Sequence, residues 1–85
     1  MNHLHSEVTV GIGEAVIIDL DRRANIKVMD ATNYERYRRN GSHQYFGGSA
    51  TRSPAVIRPP HAGRWHIAID LGGASGPIRA AVRTL

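Results

Sequence analysis

Short apolar runs recur along the chain, and within several of them apolar and polar residues alternate. The alternation is most regular over residues 64–71, which predicts a strand with one inward and one outward face. The predicted inward residues are Trp65, Ile67, Ile69 and Leu71, and the predicted outward residues are Arg64, His66, Ala68 and Asp70. Trp65 is therefore expected to anchor the core. Six further runs predict strands at residues 7–12, 14–20, 26–30, 43–46, 54–58 and 78–83.

Glycine, proline and charged residues separate these runs and indicate turns between antiparallel strands. Parallel strands would need crossovers of about a dozen residues, and only residues 30–42 could supply one. The pattern therefore predicts an all-β fold. We expect a compact antiparallel β-sandwich of about seven short strands, forming a single domain over residues 1–85.

Three glycine-containing segments are interpreted as features of the backbone. The Gly47-Gly48 pair is expected to interrupt the fourth strand, as a bulge. Residues 11–13 lack the third glycine of a dinucleotide-binding fingerprint, and residues 72–77 lack the lysine of a phosphate-binding loop. Both segments are therefore predicted to be turns.

A short helix is predicted between the third and fourth strands. Residues 32–35 have the Ser/Thr-x-x-Glu form of a capping box, and Asn40-Gly41 is typical of a helix end. The helix is expected over residues 33–39. Tyr34 and Tyr37 are three positions apart and share one side of it, so we expect both rings to pack the helix against the sheet.

The size and composition of the chain limit the classes of protein it can be. It has 85 residues and contains no cysteine, which excludes a disulfide framework and a thiolate metal site. A domain of this size buries only about 60–65% of its unfolded surface, leaving little room for a deep catalytic pocket. No apolar run approaches the roughly 18 residues of a membrane span, and residues 1–7 lack the pattern of a secretory signal. We therefore expect a cytoplasmic protein with no membrane partner.

A wider pattern of motifs extends over residues 28–73. Its parts are Val28-Met29-Asp30, Asn33-Tyr34, Tyr37, Tyr45-Phe46-Gly47-Gly48, Arg52-Ser53-Pro54, Pro60-His61, Gly63, Trp65-His66 and Asp70-Leu71-Gly72-Gly73. This pattern resembles a small bacterial family of unknown function, DUF1883. The resemblance implies a compact β-sandwich. Some relatives carry a similar domain ahead of a TIR signalling domain, which implies a sensing or adaptor role there, and the family supplies no catalytic residue to carry over.

Basic and aromatic residues coincide in one part of the chain. The net charge is +4, and residues 34–65 carry six arginines against Glu35 alone, together with all five aromatic residues. We expect these arginines to lie together on one outer flank, where they would attract an anion. The candidate binding residues are Arg36, Tyr37, Arg38, Arg39, Tyr45, Arg52, Arg58, Arg64 and His66.

These residues favour a non-enzymatic binding module that uses a basic, aromatic-lined face for an acidic protein surface or another anionic ligand. The alternative is a nucleic-acid-binding module in which Tyr37, Tyr45 and Phe46 stack on bases. A solvated surface, with tyrosine rings packed on arginine stems, fits the same pattern.

The five histidines give only a weak indication of a metal site. His3 and His5 share one face of a terminal strand, but no carboxylate is expected to complete a three-ligand set. His43, His61 and His66 belong to three different elements, and the sequence leaves open whether they converge. We therefore predict no bound metal and no cofactor.

The sequence also argues against an active site. His66 and Asp70 are about 13 Å apart along one strand, which is too far for a catalytic pair, and no nucleophile elbow is present. We therefore predict that the protein is not an enzyme, with a small metal-dependent hydrolase as the remaining alternative.

Overall fold

The computed structural model describes residues 3–73 and 76–85. Within these residues the chain forms two antiparallel sheets and one helix. The elements are β1 (Leu4–Val10), β2 (Val16–Leu20), β3 (Ala24–Met29), α1 (Ala31–Arg38), β4 (Phe46–Ala50), β5 (Ala55–Ile57), β6 (Gly63–Asp70) and β7 (Ala80–Thr84). The four-stranded sheet has the order β1-β6-β3-β4, and the three-stranded sheet has the order β5-β2-β7. The predicted all-β class, with a short helix between the third and fourth strands, is confirmed.

The core lies where the two sheets face each other. Alternate residues of β3 and β6 point into it from the four-stranded sheet, and Val16 and Ile18 of β2 meet them from the other sheet. Trp65 is 3% exposed, as predicted, and its Nε1 donates a hydrogen bond to the His61 carbonyl oxygen at 3.1 Å. Period-two alternation thus sets the inner face of β6.

The opposite face of β6 differs from its prediction. Ala68 is fully buried and Asp70 is 4% exposed, although both were expected to face solvent. They are covered because α1 packs on this outer face, where Tyr34 and Tyr37 contact Ala68 and Met29. The prediction that both rings pack the helix against the sheet is confirmed. The term "helix face" is used below for the outer face of the four-stranded sheet together with α1.

The helix begins earlier than predicted, and a different residue caps it. Asp30, rather than Thr32, is the N-cap, and its carboxylate accepts a hydrogen bond from the Asn33 amide at 2.8 Å. The aspartate is a strong N-cap because its oxygen satisfies an amide that has no partner within the helix. The chain leaves the helix at Asn40, whose φ of 61° is left-handed.

The fourth strand also differs from its prediction. It begins at Phe46, and Gly47 and Gly48 lie within it, paired with Lys27 and Ile26. Both glycines have positive φ, and a Cβ at Gly47 would collide with the Ile26 carbonyl oxygen. Glycine therefore allows β4 to continue against β3 instead of interrupting it.

The two predicted glycine turns have different outcomes. Residues 11–13 form a turn, closed by a hydrogen bond from the Glu14 amide to the Gly11 carbonyl oxygen at 3.1 Å. In the turn predicted for residues 72–77, Gly72 and Gly73 are in a turn, whereas Ala74 and Ser75 lie outside the described residues.

Candidate functional site

The helix α1 has a buried aromatic side and an exposed basic side. Tyr34 and Tyr37 pack on the sheet. The exposed side carries Arg36 and Arg38, and Arg39 follows them as the exposed C-cap; we call these three residues the arginine side of α1. Aromatic residues at positions 34 and 37 leave the intervening and following positions to face solvent.

One carboxylate lies among these three arginines. Arg38 donates a hydrogen bond to Glu35 Oε1 at 2.8 Å, and Arg39 Nε is 3.7 Å from the same oxygen. The hydrogen bond from Arg38 lowers the pKa of Glu35 and is the largest contribution to that shift. Two guanidinium groups thus share one carboxylate, and with Arg36 beside them the arginine side of α1 keeps an excess of positive charge.

The other predicted arginines divide between two places. Arg64 lies on the helix face, where its Nη1 is 3.4 Å from Glu7 Oε2. Arg52 and Arg58 lie on either side of β5 in the three-stranded sheet, and Arg58 donates to the Gly13 carbonyl oxygen at 3.4 Å. The prediction that all six arginines lie on one flank is therefore wrong. After β4 the chain passes from the four-stranded to the three-stranded sheet, so Arg52 and Arg58 lie beside β5 and not beside α1.

Tyr37 does not lie on the surface. It is 3% exposed, and its hydroxyl donates to Asp70 Oδ2 at 2.6 Å. The other Asp70 oxygen accepts from Asn25 Nδ2 at 3.0 Å and from the Gly72 amide at 2.9 Å. The prediction that Tyr37 contacts a ligand through an exposed ring is wrong, because the ring is needed to cover the sheet.

The hydrogen bonds at Asp70 shift the pKa values of the Asp70 carboxyl and of the Tyr37 phenol. Burial alone would raise the pKa of the Asp70 carboxyl, but hydrogen bonds from Tyr37, Asn25 and Gly72 outweigh it and hold the pKa below its usual value. Burial and the bond to Asp70 raise the pKa of the Tyr37 phenol well above its usual value. The pair is therefore a charged acceptor and a neutral donor near neutral pH, which is the stronger kind of hydrogen bond.

Tyr45 belongs to an aromatic groove beside β4. The ring is 43% exposed, and Lys27 Nζ lies 4.7 Å from its centroid and 2.9 Å from His43 Nε2. The groove has a volume of about 550 Å³. It is lined by Met29, Asp30, Asn33, His43, Gln44, Tyr45, Phe46, Pro60, His61 and Trp65. Among the described residues no arginine lines it, so the exposed aromatic rings and the arginines occupy separate surfaces.

Three metal-ligating side chains meet on the helix face, and we call them the histidine cluster. His5 Nε2 is 2.9 Å from His66 Nδ1, and His66 Nδ1 is 3.6 Å from Glu7 Oε1. One ligand atom from each of these residues lies within 4.8 Å of the others. The prediction that no carboxylate joins the histidines is wrong, since Glu7 is two residues after His5 and shares its face of β1.

The rings of the histidine cluster are held by Tyr34. Its ring is stacked on His5 at 4.2 Å and on His66 at 4.9 Å between centroids, with interplanar angles of 10° and 7°. Burial, followed by the charge of His66, lowers the pKa of His5. Both the packing and the shift favour neutral imidazole at His5.

Comparison with known proteins identifies the family but no described function. A family model described as a domain of unknown function, DUF1883, matches residues 1–85, the whole chain. The chain belongs to the DUF1883 family. Searches of curated proteins and of solved structures found no match to this DUF1883 chain.

The three histidines whose convergence the sequence left open do not meet in this DUF1883 domain. His43 and His61 line the aromatic groove, whereas His66 joins His5 and Glu7 on the helix face.

The sequence analysis did not predict the aromatic groove, the contacts of Lys27 or the histidine cluster. The His5-x-Glu7 spacing was an available signal for the cluster, but the pairing of Glu7 with His66 depends on the register between β1 and β6. Residues 3–73 and 76–85 contain no helical segment that could span a lipid bilayer.

Proposed function

We propose that this DUF1883 protein is a binding module that does not catalyse a reaction, and that its partner is an acidic protein surface. The observation that carries the proposal is the arginine side of α1, where Arg36, Arg38 and Arg39 are exposed and Glu35 pairs with Arg38 and Arg39. Guanidinium groups present planar sets of donors that match carboxylates.

The way in which α1 is held supports this role. The Asp30 cap fixes its first turn, and the bond from Tyr37 to Asp70 fixes its buried side to the sheet. Because the backbone is fixed, binding would have to order the arginine side chains but would not also have to order the helix itself. An anchored helix is therefore a suitable platform for recognising carboxylates.

An acidic protein is favoured over a nucleic acid by the surroundings of these arginines. The nucleic-acid alternative needs aromatic rings beside the cations for stacking. Tyr34 and Tyr37 are buried, and the exposed Tyr45 and Phe46 lie at the aromatic groove and its edge, away from the arginine side.

The test compares two triple substitutions that remove the same charge from different places. The helix variant replaces Arg36, Arg38 and Arg39 with glutamine. The matched control replaces Arg52, Arg58 and Arg23, which is exposed between β2 and β3, with glutamine. Binding of fluorescent poly-L-glutamate is measured by anisotropy at two salt concentrations. The helix variant is expected to bind roughly threefold to a hundredfold more weakly than the wild type, since three exposed ion pairs are lost, whereas the control is expected to lose much less.

Two outcomes would contradict the proposal. Equal losses in both variants would show that net charge, rather than the arginine side of α1, determines binding. Tighter binding of a DNA duplex than of poly-L-glutamate, with a steep salt dependence that the helix variant reduces, would favour the nucleic-acid alternative. The unfolding temperature of the helix variant should be nearly that of the wild type, because the three side chains are exposed.

A further inference from the structure

We propose that the histidine cluster is a zinc site, with His5, Glu7 and His66 as its three protein ligands. These side chains supply two imidazole nitrogens and one carboxylate oxygen, a donor set that suits Zn²⁺ better than Ca²⁺ or Mg²⁺. The site is separate from the arginine side of α1, and the inference does not depend on the proposed function.

The register between β1 and β6 creates the site. Glu7 is paired directly with His66, and His5 is paired with Ala68, two residues further along β6. Successive side chains of a strand alternate between faces, so His5, Glu7 and His66 all project from the helix face. A directly opposed pair and its diagonal neighbour thus bring three ligands together from two rigid strands.

The separations of the ligand atoms fit one tetrahedral ion. Zinc bonds of about 2.0–2.1 Å place neighbouring ligand atoms about 3.4 Å apart. The separations are 2.9 Å from His5 Nε2 to His66 Nδ1 and 3.6 Å from His66 Nδ1 to Glu7 Oε1, and the ligand atoms of His5 and Glu7 lie within 4.8 Å of each other. Glu7 is exposed, so its carboxylate can adjust by side-chain rotation without moving the strand.

Neighbouring groups hold the ligands in place. Tyr34 stacks on both imidazole rings and limits their rotation. Arg64 contacts Glu7 through Oε2, while Oε1 is the oxygen nearer to His66. Such contacts around the ligands orient them for a metal. Because the protein supplies three ligands, the fourth coordination position of the ion is left to water or to an atom of a bound molecule.

The test is a titration of the metal-free, untagged chain with Zn²⁺, in which binding is measured by isothermal titration calorimetry. Saturable binding of one ion per chain is expected. We expect Zn²⁺ affinity to fall by about tenfold or more in each of three variants, His5→Gln, His66→Gln and Glu7→Gln. Substituting a residue that only contacts a metal ligand already lowers metal affinity by about that factor, and these substitutions remove a ligand itself. His61→Gln is the matched control, since it removes an exposed histidine at the aromatic groove, and it should bind as the wild type does.

A second measurement keeps the test decisive where a histidine variant fails to fold. Co²⁺ is added as a spectroscopic probe, and a tetrahedral site gives visible absorption that Zn²⁺ should abolish by competition. Glu7 is exposed, so Glu7→Gln should fold as the wild type does in far-ultraviolet circular dichroism, and it should lose that absorption. The inference is overturned if Zn²⁺ does not bind saturably, or if Glu7→Gln and the folded histidine variants bind it as tightly as His61→Gln.

Discussion

The inner face of the four-stranded sheet carries aliphatic side chains and Trp65, whereas its outer face carries Asp70, two histidines and the tyrosines of α1. Both faces are buried over part of their area, but they are stabilised differently. The hydrophobic effect that stabilises the inner face is non-directional, while each buried polar atom of the outer face needs a hydrogen-bond partner in a suitable position. Within the described residues, every buried side-chain nitrogen and oxygen has one. The outer face can therefore place charges and possible metal ligands next to solvent on a rigid support, which the inner face cannot do.

The largest expected effect is a loss of packing on the inner face. Trp65→Ala should lower the free energy of unfolding by about 3–5 kcal/mol, because it leaves a large cavity in the core. Urea unfolding followed by circular dichroism measures this change. Phe46→Ala is the control, since this ring contacts Trp65 from a half-exposed position and should cost much less. A cost below about 1 kcal/mol for Trp65→Ala would contradict the burial of that ring.

A smaller effect is expected from one hydrogen bond on the outer face. Tyr37→Phe keeps the ring but removes the hydroxyl that donates to Asp70, and it should cost about 1–3 kcal/mol because a buried charged acceptor loses a partner. Tyr45→Phe removes the same hydroxyl from an exposed ring and should cost less than about 0.5 kcal/mol. Equal costs in the two variants would show that the outer face does not depend on this bond.

The same network predicts a dependence on pH. The pKa of Asp70 is lower in the folded than in the unfolded chain, so its contribution is complete above the ordinary aspartate pKa of about 4 and is lost as the pH falls through the lower folded value. Asp70→Asn should therefore be less stable than the wild type at pH 7, and the difference should narrow below about pH 4. Urea unfolding at several pH values measures the difference. A gap that stays constant into acid would contradict the lowered pKa.

The contrast between the faces also explains what the sequence could predict. The strands, their antiparallel arrangement and the burial of Trp65 follow from period-two alternation and turn residues, which act locally. The burial of Asp70 could not be predicted, because it depends on where α1 packs. Alternation alone places Asp70 on the face opposite Trp65 and does not indicate what covers that face.

The candidate site was predictable only in part for the same reason. Arg36, Arg38 and Arg39 follow one another on a short helix, so their shared exposure could be predicted locally. Arg52 and Arg58 were wrongly grouped with them because sequence proximity does not show which sheet a strand joins. The meeting of Glu7 with His66 needs the β1–β6 register, which links residues far apart in the chain.

The most direct test of the proposed function is a titration of ¹⁵N-labelled protein with poly-L-glutamate, followed by amide chemical shifts. The account predicts that the largest changes fall on residues 35–40, with small changes at residues 52–58 and at Tyr45. Changes concentrated around β5 or in the aromatic groove, with the amides of α1 unaffected, would contradict it.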